Sequence, residues 1–308
     1  MISTKMFIKL GGGVILPLIK LVACDLDGTL FNSDMAISDE NVAAIRAAQR
    51  NGIEFLVATG RTPRQSRRTI EKYGLKTGFI NINGALVYDA DNNLKVKHKL
   101  PNDKASSISK ILKENNIYFE LVTTDKIYSS DISKRVVNLA RALMILNPGV
   151  TFKRAVATAA GSDAMLSMTL VENLDQLLAN DKIEIMKIIA FDAHGQSAFA
   201  KAKKEINALG NVAVTSSSAA NIEINDIKAQ KGPALLDYAQ MKGLKREEVA
   251  AIGDNLNDAS MIKDAGTGVA MANAIPTIKK LAQVKTKSNN DNGVAYILRK
   301  FIKNNAKE

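Results

Sequence analysis

Residues 21–30 read Leu21-Val22-Ala23-Cys24-Asp25-Leu26-Asp27-Gly28-Thr29-Leu30, an apolar run that stops at two acids, a glycine and a threonine. The run starts at Leu18 and is interrupted only by Lys20, which is the pattern of a strand buried on both faces of a parallel sheet. Asp25 and Asp27 then fall where that strand should end, at the edge where open α/β sheets bind ligands. Downstream, Ser38 and Asp39 precede the helical spacing Val42, Ile45, Ala48, which closes near Gly52, and Ile53 to Ala58 reads as a second buried strand. A helix over Arg64 to Tyr73 leads to a third strand, Phe79 to Ile82. The expected fold class is therefore α/β, with a doubly wound parallel sheet as its core.

The pattern changes after Gly84. Ala85 to Asp89, the turn Asp91-Asn92-Asn93, and Leu94, Val96, His98 and Leu100 alternating with Lys95, Lys97 and Lys99 read as antiparallel strands. Lysines along one face suit a sheet edge. A strand Ile183 to Phe191 and a helix Ala198 to Leu209 follow. The alternating style then returns with a helix Gly232 to Met241, a strand Val249 to Ile252, a helix Asp258 to Ala265 and a short strand Gly268 to Met271. The order implies a core formed by residues 19–86 and 221–308, an inserted α+β domain over 87–220, and an N-terminal extension over 1–18.

Composition narrows the class of protein. With 308 residues, 46% of them hydrophobic and 24% charged, the chain can bury a sizeable core. Cys24 stands alone and there are two histidines, His98 and His194, which excludes an internal disulfide and a multi-thiolate zinc site and fits a cytoplasmic protein. The apolar stretch Val14 to Ile19 contains Pro17 and ends at Lys20, far short of the roughly 20 residues of a membrane span, so neither a secretory leader nor a membrane partner is expected. The net charge of +11 suits anionic partners. Residues 275–308 carry eight Lys/Arg against two acids, read as a solvated helix face. No nucleic-acid partner is expected, because aromatic residues are 5% of the chain and Trp is absent.

The chemistry follows from the acids. A carboxylate such as Asp25, held beside a divalent cation, can attack phosphorus, because the cation neutralises the phosphate and aligns the approach. Asp27 can protonate the leaving oxygen and then deprotonate the water. Gly28 permits the sharp turn and Thr29 can support it. Gly253-Asp254-Asn255-Leu256-Asn257-Asp258 again follows an apolar strand, so its acids can reach the same sheet edge. Oxygen donors without Cys or His favour Mg²⁺, with Asp25, a carbonyl of Asp27, Asp254 and Asp258 as the acidic set. Thr59-Gly60-Arg61 opens a loop suited to an anion, and Lys231 precedes a helix where its ammonium can offset charge on a transferring phosphoryl group. Asn83-Gly84 reads equally as a hairpin turn.

In this order the pieces resemble the haloacid dehalogenase superfamily of phosphatases, and more narrowly its Cof-like sugar-phosphatase branch. The resemblance runs from Leu21 to about Phe301 through DLDGTL (25–30), ATGR (58–61), NGA (83–85), KGPAL (231–235), GDNLNDASMI (253–262), GVAMANA (268–274) and NGVA (292–295). It implies a Rossmann-like core with a large α/β cap, Asp25 as nucleophile, Asp27 as general acid and base, and Thr59 and Lys231 on the phosphoryl oxygens. Leu26, Gly60 and Asn257 would assist them, Arg61, Asn83 and Gly84 would join the phosphate-binding set, and Asp254 would complete the Mg²⁺ site. Lys228-Ala229-Gln230 departs from the family's usual Gly-Val-Ser before the Lys-Gly pair. The function so implied is Mg²⁺-dependent hydrolysis of a small phosphorylated metabolite, a sugar phosphate by the family's habit, through an aspartyl-phosphate. The alternatives are a phosphotransferase or phosphomutase of the same superfamily and, in another class, a basic nucleic-acid-binding or regulatory protein with vestigial acids. A monomer or weak homo-oligomer is expected.

Overall fold

Eight strands form the larger sheet, in the order Val284–Lys285, Thr267–Ala270, Val249–Gly253, Leu21–Asp25, Glu54–Ala58, Gly78–Asn81, Leu86–Tyr88, Leu94–Lys97. The computed structural model describes residues 9–10, 13–14, 17–146, 149–162, 165 and 168–307. The first six strands run parallel, and the last two turn back as an antiparallel hairpin. Leu21–Asp25 lies between Glu54–Ala58 and Val249–Gly253, with all five of its residues buried. That double burial explains its unbroken apolar run. Because the three neighbours point the same way, their C-terminal ends converge, with Asp25 opposite Ala58 and Cys24 opposite Ile252.

Local sequence sets the helix ends. The helix Asp39–Arg50 starts where the Ser38 hydroxyl accepts from the Asn41 N–H at 3.1 Å. It buries Val42, Ala44, Ile45 and Ala48 in the main core and lies against the C-terminal helix Gly293–Asn305, whose Ala295 N–H donates to Asn41. The helix Pro63–Glu71 opens on a reciprocal cap between Thr62 and Gln65.

The smaller sheet has the order Met168–Leu170, Ile127–Ser129, Tyr118–Val122, Lys187–Phe191, Asn221–Asp226, Val212–Thr215. It has its own apolar core, with Ile108, Leu112, Phe119, Leu121, Ile188, Phe199, Ile206, Ile222 and Ile224 among its members. Sheet membership shifts both expected boundaries. Val87 and Val96 are packed in the main core, so the larger sheet continues past residue 86 to Lys97. Ile222 and Ile224 pack in the smaller core, so Asn221–Asp226 belongs to the second sheet rather than to the first. The expected strand Ile183 to Phe191 begins only at Lys187, since the preceding backbone leaves the ladder: the Ile185 carbonyl accepts from Leu100 N–H where the chain crosses between the sheets. Most of the expected N-terminal extension lies outside the described residues; Lys9–Leu10 and Gly13–Val14 form a short antiparallel pair. Among the described residues no helix is long and apolar enough to cross a membrane.

Candidate active site

The turn after Leu21–Asp25 is wide, closed by the Phe31 N–H donating to the Leu26 carbonyl at 2.8 Å. Gly28 makes it possible. Its φ is +87°, and a Cβ there would lie 2.7 Å from the Asp254 carboxylate, so both the backbone and the space demand glycine. The turn delivers the Thr29 hydroxyl to Asp254, donating at 2.6 Å across 225 residues of sequence.

Three carboxylates meet at the sheet edge. One oxygen from each of Asp25, Asp254 and Asp258 lies within 4.8 Å of the others, and all three residues are buried. Lys231, fully buried at the start of the helix Lys231–Met241, donates to Asp25 at 2.6 Å and to Asp258 at 2.7 Å. The other Asp258 oxygen accepts from the backbone N–H groups of Asp254 and Asn255, at 2.9 and 3.0 Å. One ammonium thus faces three acids. Burial, and then repulsion from Asp258, pushes the Asp25 carboxyl well above the usual range despite Lys231. The same two causes push Asp254 up to about 7, against the bond from Thr29. For Lys231 burial acts downward, yet the charges of Asp25 and Asp258 prevail and hold its ammonium above the ordinary value.

This donor set fits a hard divalent cation: three convergent carboxylates, no Cys or His, and a surplus of negative charge that a cation would relieve. The expected share of Asp27 in the cation site is its backbone carbonyl, and its carboxylate is placed apart. Its carboxylate turns to Arg61, accepting from Nε at 3.0 Å and from Nη2, so its side chain stands outside the triad. The Arg61 guanidinium lies over the Phe31 ring, 5.3 Å from the centroid.

Asp25, Asp27, Gly60, Arg61 and Asn257 line a cavity of about 240 Å³ between the two sheets. Thr59 is buried beside it, its hydroxyl accepting from the Arg61 N–H at 3.2 Å. Leu26 is buried within the turn. Asn83 and Gly84 go elsewhere than the phosphate-binding set expected for them, and not into a simple hairpin. Asn83 donates to Glu223 and Asn225 of the smaller sheet, and Gly84 packs on the Gln230 carbonyl, so this turn joins the two sheets. Cys24 and the histidines stay out of the chemistry: the buried Cys24 thiol donates to the Asp25 carbonyl, and His98 lies 3.8 Å from Asp237. Met186 is fully buried at the junction between the two sheets.

The opposite wall comes from the smaller sheet. Glu120, Val122, Lys187, Ile189, Phe191 and Glu223 occupy alternate strand positions facing the cavity, while Leu121, Ile188, Ala190, Ile222 and Ile224 pack behind them. None of these charged residues stands out in the sequence. The signal present is a single charge inside an apolar alternation, as in Phe119-Glu120-Leu121 and Ile222-Glu223-Ile224.

A family model described as haloacid dehalogenase-like hydrolase matches residues 22–298. The chain belongs to the haloacid dehalogenase-like hydrolases. Its motifs are those of the Cof-like branch, and it is a phosphoric monoester hydrolase. It is 33% identical to phosphatase YwpJ of Bacillus subtilis, over 92% of this chain and the whole of the relative. It is 30% identical to 5-amino-6-(5-phospho-D-ribitylamino)uracil phosphatase YcsE of the same organism, over 92% and 96% of the two chains. Among solved structures, a haloacid dehalogenase-like hydrolase from B. subtilis superposes with a TM-score of 0.83 at 32% identity, covering 91% of this chain and 99% of that one. The mixed architecture, a Rossmann-like core with a second α/β unit beside the sheet edge, is the fold of this superfamily.

Proposed function

We propose that this hydrolase is a Mg²⁺-dependent phosphatase of small phosphorylated metabolites, sugar phosphates foremost, working through an aspartyl-phosphate on Asp25. The observation that carries the reading is Lys231 bridging Asp25 and Asp258 beside Asp254, with Asp25 itself opening onto a cavity that Asp27 also lines. In it, Asp25, Asp254 and Asp258 would hold the cation. When bound, Mg²⁺ supplies charge neutralisation and alignment of the phosphoryl group. An Asp25 oxygen attacks phosphorus and the bond to the leaving oxygen breaks, while Asp27, released from Arg61 and carrying a proton, gives that proton to the leaving oxygen. Asp27, now a carboxylate, then accepts a proton from the water that attacks the phosphoenzyme, and the bond from phosphorus to Asp25 breaks. Lys231 stays protonated and offsets charge on the phosphoryl oxygens and on Asp25. Arg61 fixes where Asp27 stands at the cavity wall.

The relatives' names support a small-metabolite substrate: YcsE is named for a phosphoribitylamino-uracil, and YbhA of Escherichia coli, 25% identical over 91% of this chain and 97% of its own, for pyridoxal phosphate. The segment between Lys97 and Ile227 acts in this reading as a cap that closes over the substrate and excludes unpositioned water. Asp25→Asn keeps the fold and lowers hydrolysis of p-nitrophenyl phosphate by about 10³-fold or more, the scale expected on losing an essential nucleophile. Turnover in that variant close to that of the unmodified chain refutes the mechanism, and a rate indifferent to chelation of Mg²⁺ refutes the cation.

A further inference from the structure

The cap wall of the cavity carries four charges, and they are matched in pairs. Arg135 pairs with Glu120, and Lys187 with Glu223 at 3.3 Å; no side chain of the four is more than 6% exposed. Lys187 also reaches across the junction, donating to the Gly60 carbonyl at 2.9 Å. Glu223 accepts from Asn83 and from the Ser217 hydroxyl, the latter at 3.0 Å. Gly60 lies so close that a Cβ there would sit 3.4 Å from the Lys187 nitrogen and 3.5 Å from a Glu223 oxygen. An ammonium has three donors, of which Gly60 and Glu223 take two; a carboxylate offers about four acceptor sites, and these neighbours use three. A donor and an acceptor therefore remain side by side, in a wall shared with Asp25 and Asp27.

We propose that the Lys187–Glu223 pair is a specificity determinant for the leaving group: together its two members engage a neutral, hydroxyl-bearing group, and their cancelled charge turns away a second phosphate. The proposal rests on the phosphatase reading above for which end of the substrate enters first. A hydroxyl both donates and accepts, so it can satisfy Lys187 and Glu223 at once. A second phosphate can only accept, and it would be desolvated against two carboxylates whose cations are already committed. Removing Glu223's charge alone reverses that balance.

The test measures dissociation constants of glucose 6-phosphate and glucose 1,6-bisphosphate with Mg²⁺ by calorimetry, on the full chain in an Asp25→Asn background so that neither probe is consumed. Glu223→Gln is expected to shift the ratio of the two constants about tenfold toward the bisphosphate, and Lys187→Met to shift it the opposite way, the sign pattern of a local charge effect. A structural role lowers affinity for both probes without opposite signs. A ratio unmoved in both variants, or moved in the same direction by both, overturns the proposal. If Lys187→Met does not fold, the Glu223→Gln ratio alone decides. Hydrolysis of p-nitrophenyl phosphate by the unmodified chain is measured alongside: its absence defeats the phosphatase reading, while the binding ratio still judges the pair.

Discussion

The two walls of the cavity handle buried charge in opposite ways. On the core side, three acids share one lysine, so negative charge is in surplus and burial and crowding push the Asp25 and Asp254 carboxyls up. On the cap side, two acids meet two bases and the sum is zero. An unbalanced cluster is a place where a further cation gains by entering; a balanced one is rigid and reads shape and hydrogen bonding. In the proposed reading chemistry and selection are divided between two sheets, and each wall should fail differently when a charge is removed.

The largest effect is expected at Lys231. Replacing it with Met leaves Asp25 and Asp258 buried without their cation, which should cost about 3–5 kcal/mol of stability in metal-free buffer by urea unfolding, as for other broken buried pairs. Mg²⁺ should restore part of that loss. A variant as stable as the parent would mean the core wall is not the unbalanced cluster described.

The cap wall should behave otherwise. Arg135→Met alone strands Glu120 and should cost about 3 kcal/mol or more, whereas Arg135→Met with Glu120→Leu should recover most of it, since an apolar pair of similar volume replaces a neutral ionic one. If the double variant is no better than the single, the balance on that wall is not what stabilises it.

Asp254→Asn sharpens the difference at smaller amplitude. It keeps the acceptor for Thr29 and removes a charge, so the Mg²⁺ concentration giving half-maximal hydrolysis should rise about tenfold or more. The smallest effect is on pH. Asp254 titrates near 7 in the folded, metal-free chain and near 4 when unfolded, so the native state binds the extra proton between those values. The corresponding stability is present at the acidic end and is lost as pH rises through about 7. The thermal midpoint in chelator should therefore fall by a few degrees from pH 5 to pH 8, and excess Mg²⁺ should abolish the fall. A midpoint that instead rises over this interval would contradict the crowding of the three acids.

The core wall was legible in the chain because its parts sit at strand ends next to turn residues. Asp25 ends an apolar run, Asp254 ends another, and Lys231 opens a helix, so the local pattern placed each at one edge of a parallel sheet. Asp27 was harder. The sequence offered its carbonyl to the cation and its carboxylate to proton transfer, but not the partner that holds it: the extended backbone at position 27 and the nearby guanidinium of Arg61 set its side chain apart from the three acids. Asn83-Gly84 had the sequence of a hairpin, yet three successive residues with positive φ, Ile82 to Gly84, turn it into the joint between sheets. The limits of the inserted unit were misplaced for a related reason: Leu86–Tyr88 pairs with Gly78–Asn81 in the larger sheet and Asn221–Asp226 with Lys187–Phe191 in the smaller one, and only pairing decides which sheet receives each.

By itself, then, the order of residues determined the doubly wound core, the meeting of Asp25, Asp254, Asp258 and Lys231, and the phosphoryl chemistry they permit, because strand burial and turn formation are local and the parallel sheet brings strand ends together. Tertiary structure alone decided that Lys187 pairs with Glu223, that Arg135 pairs with Glu120, and that this face of the smaller sheet looks onto the acids. Alternation along a strand separates two faces but does not say which one another sheet will cover; that depends on the docking of cores formed from distant segments.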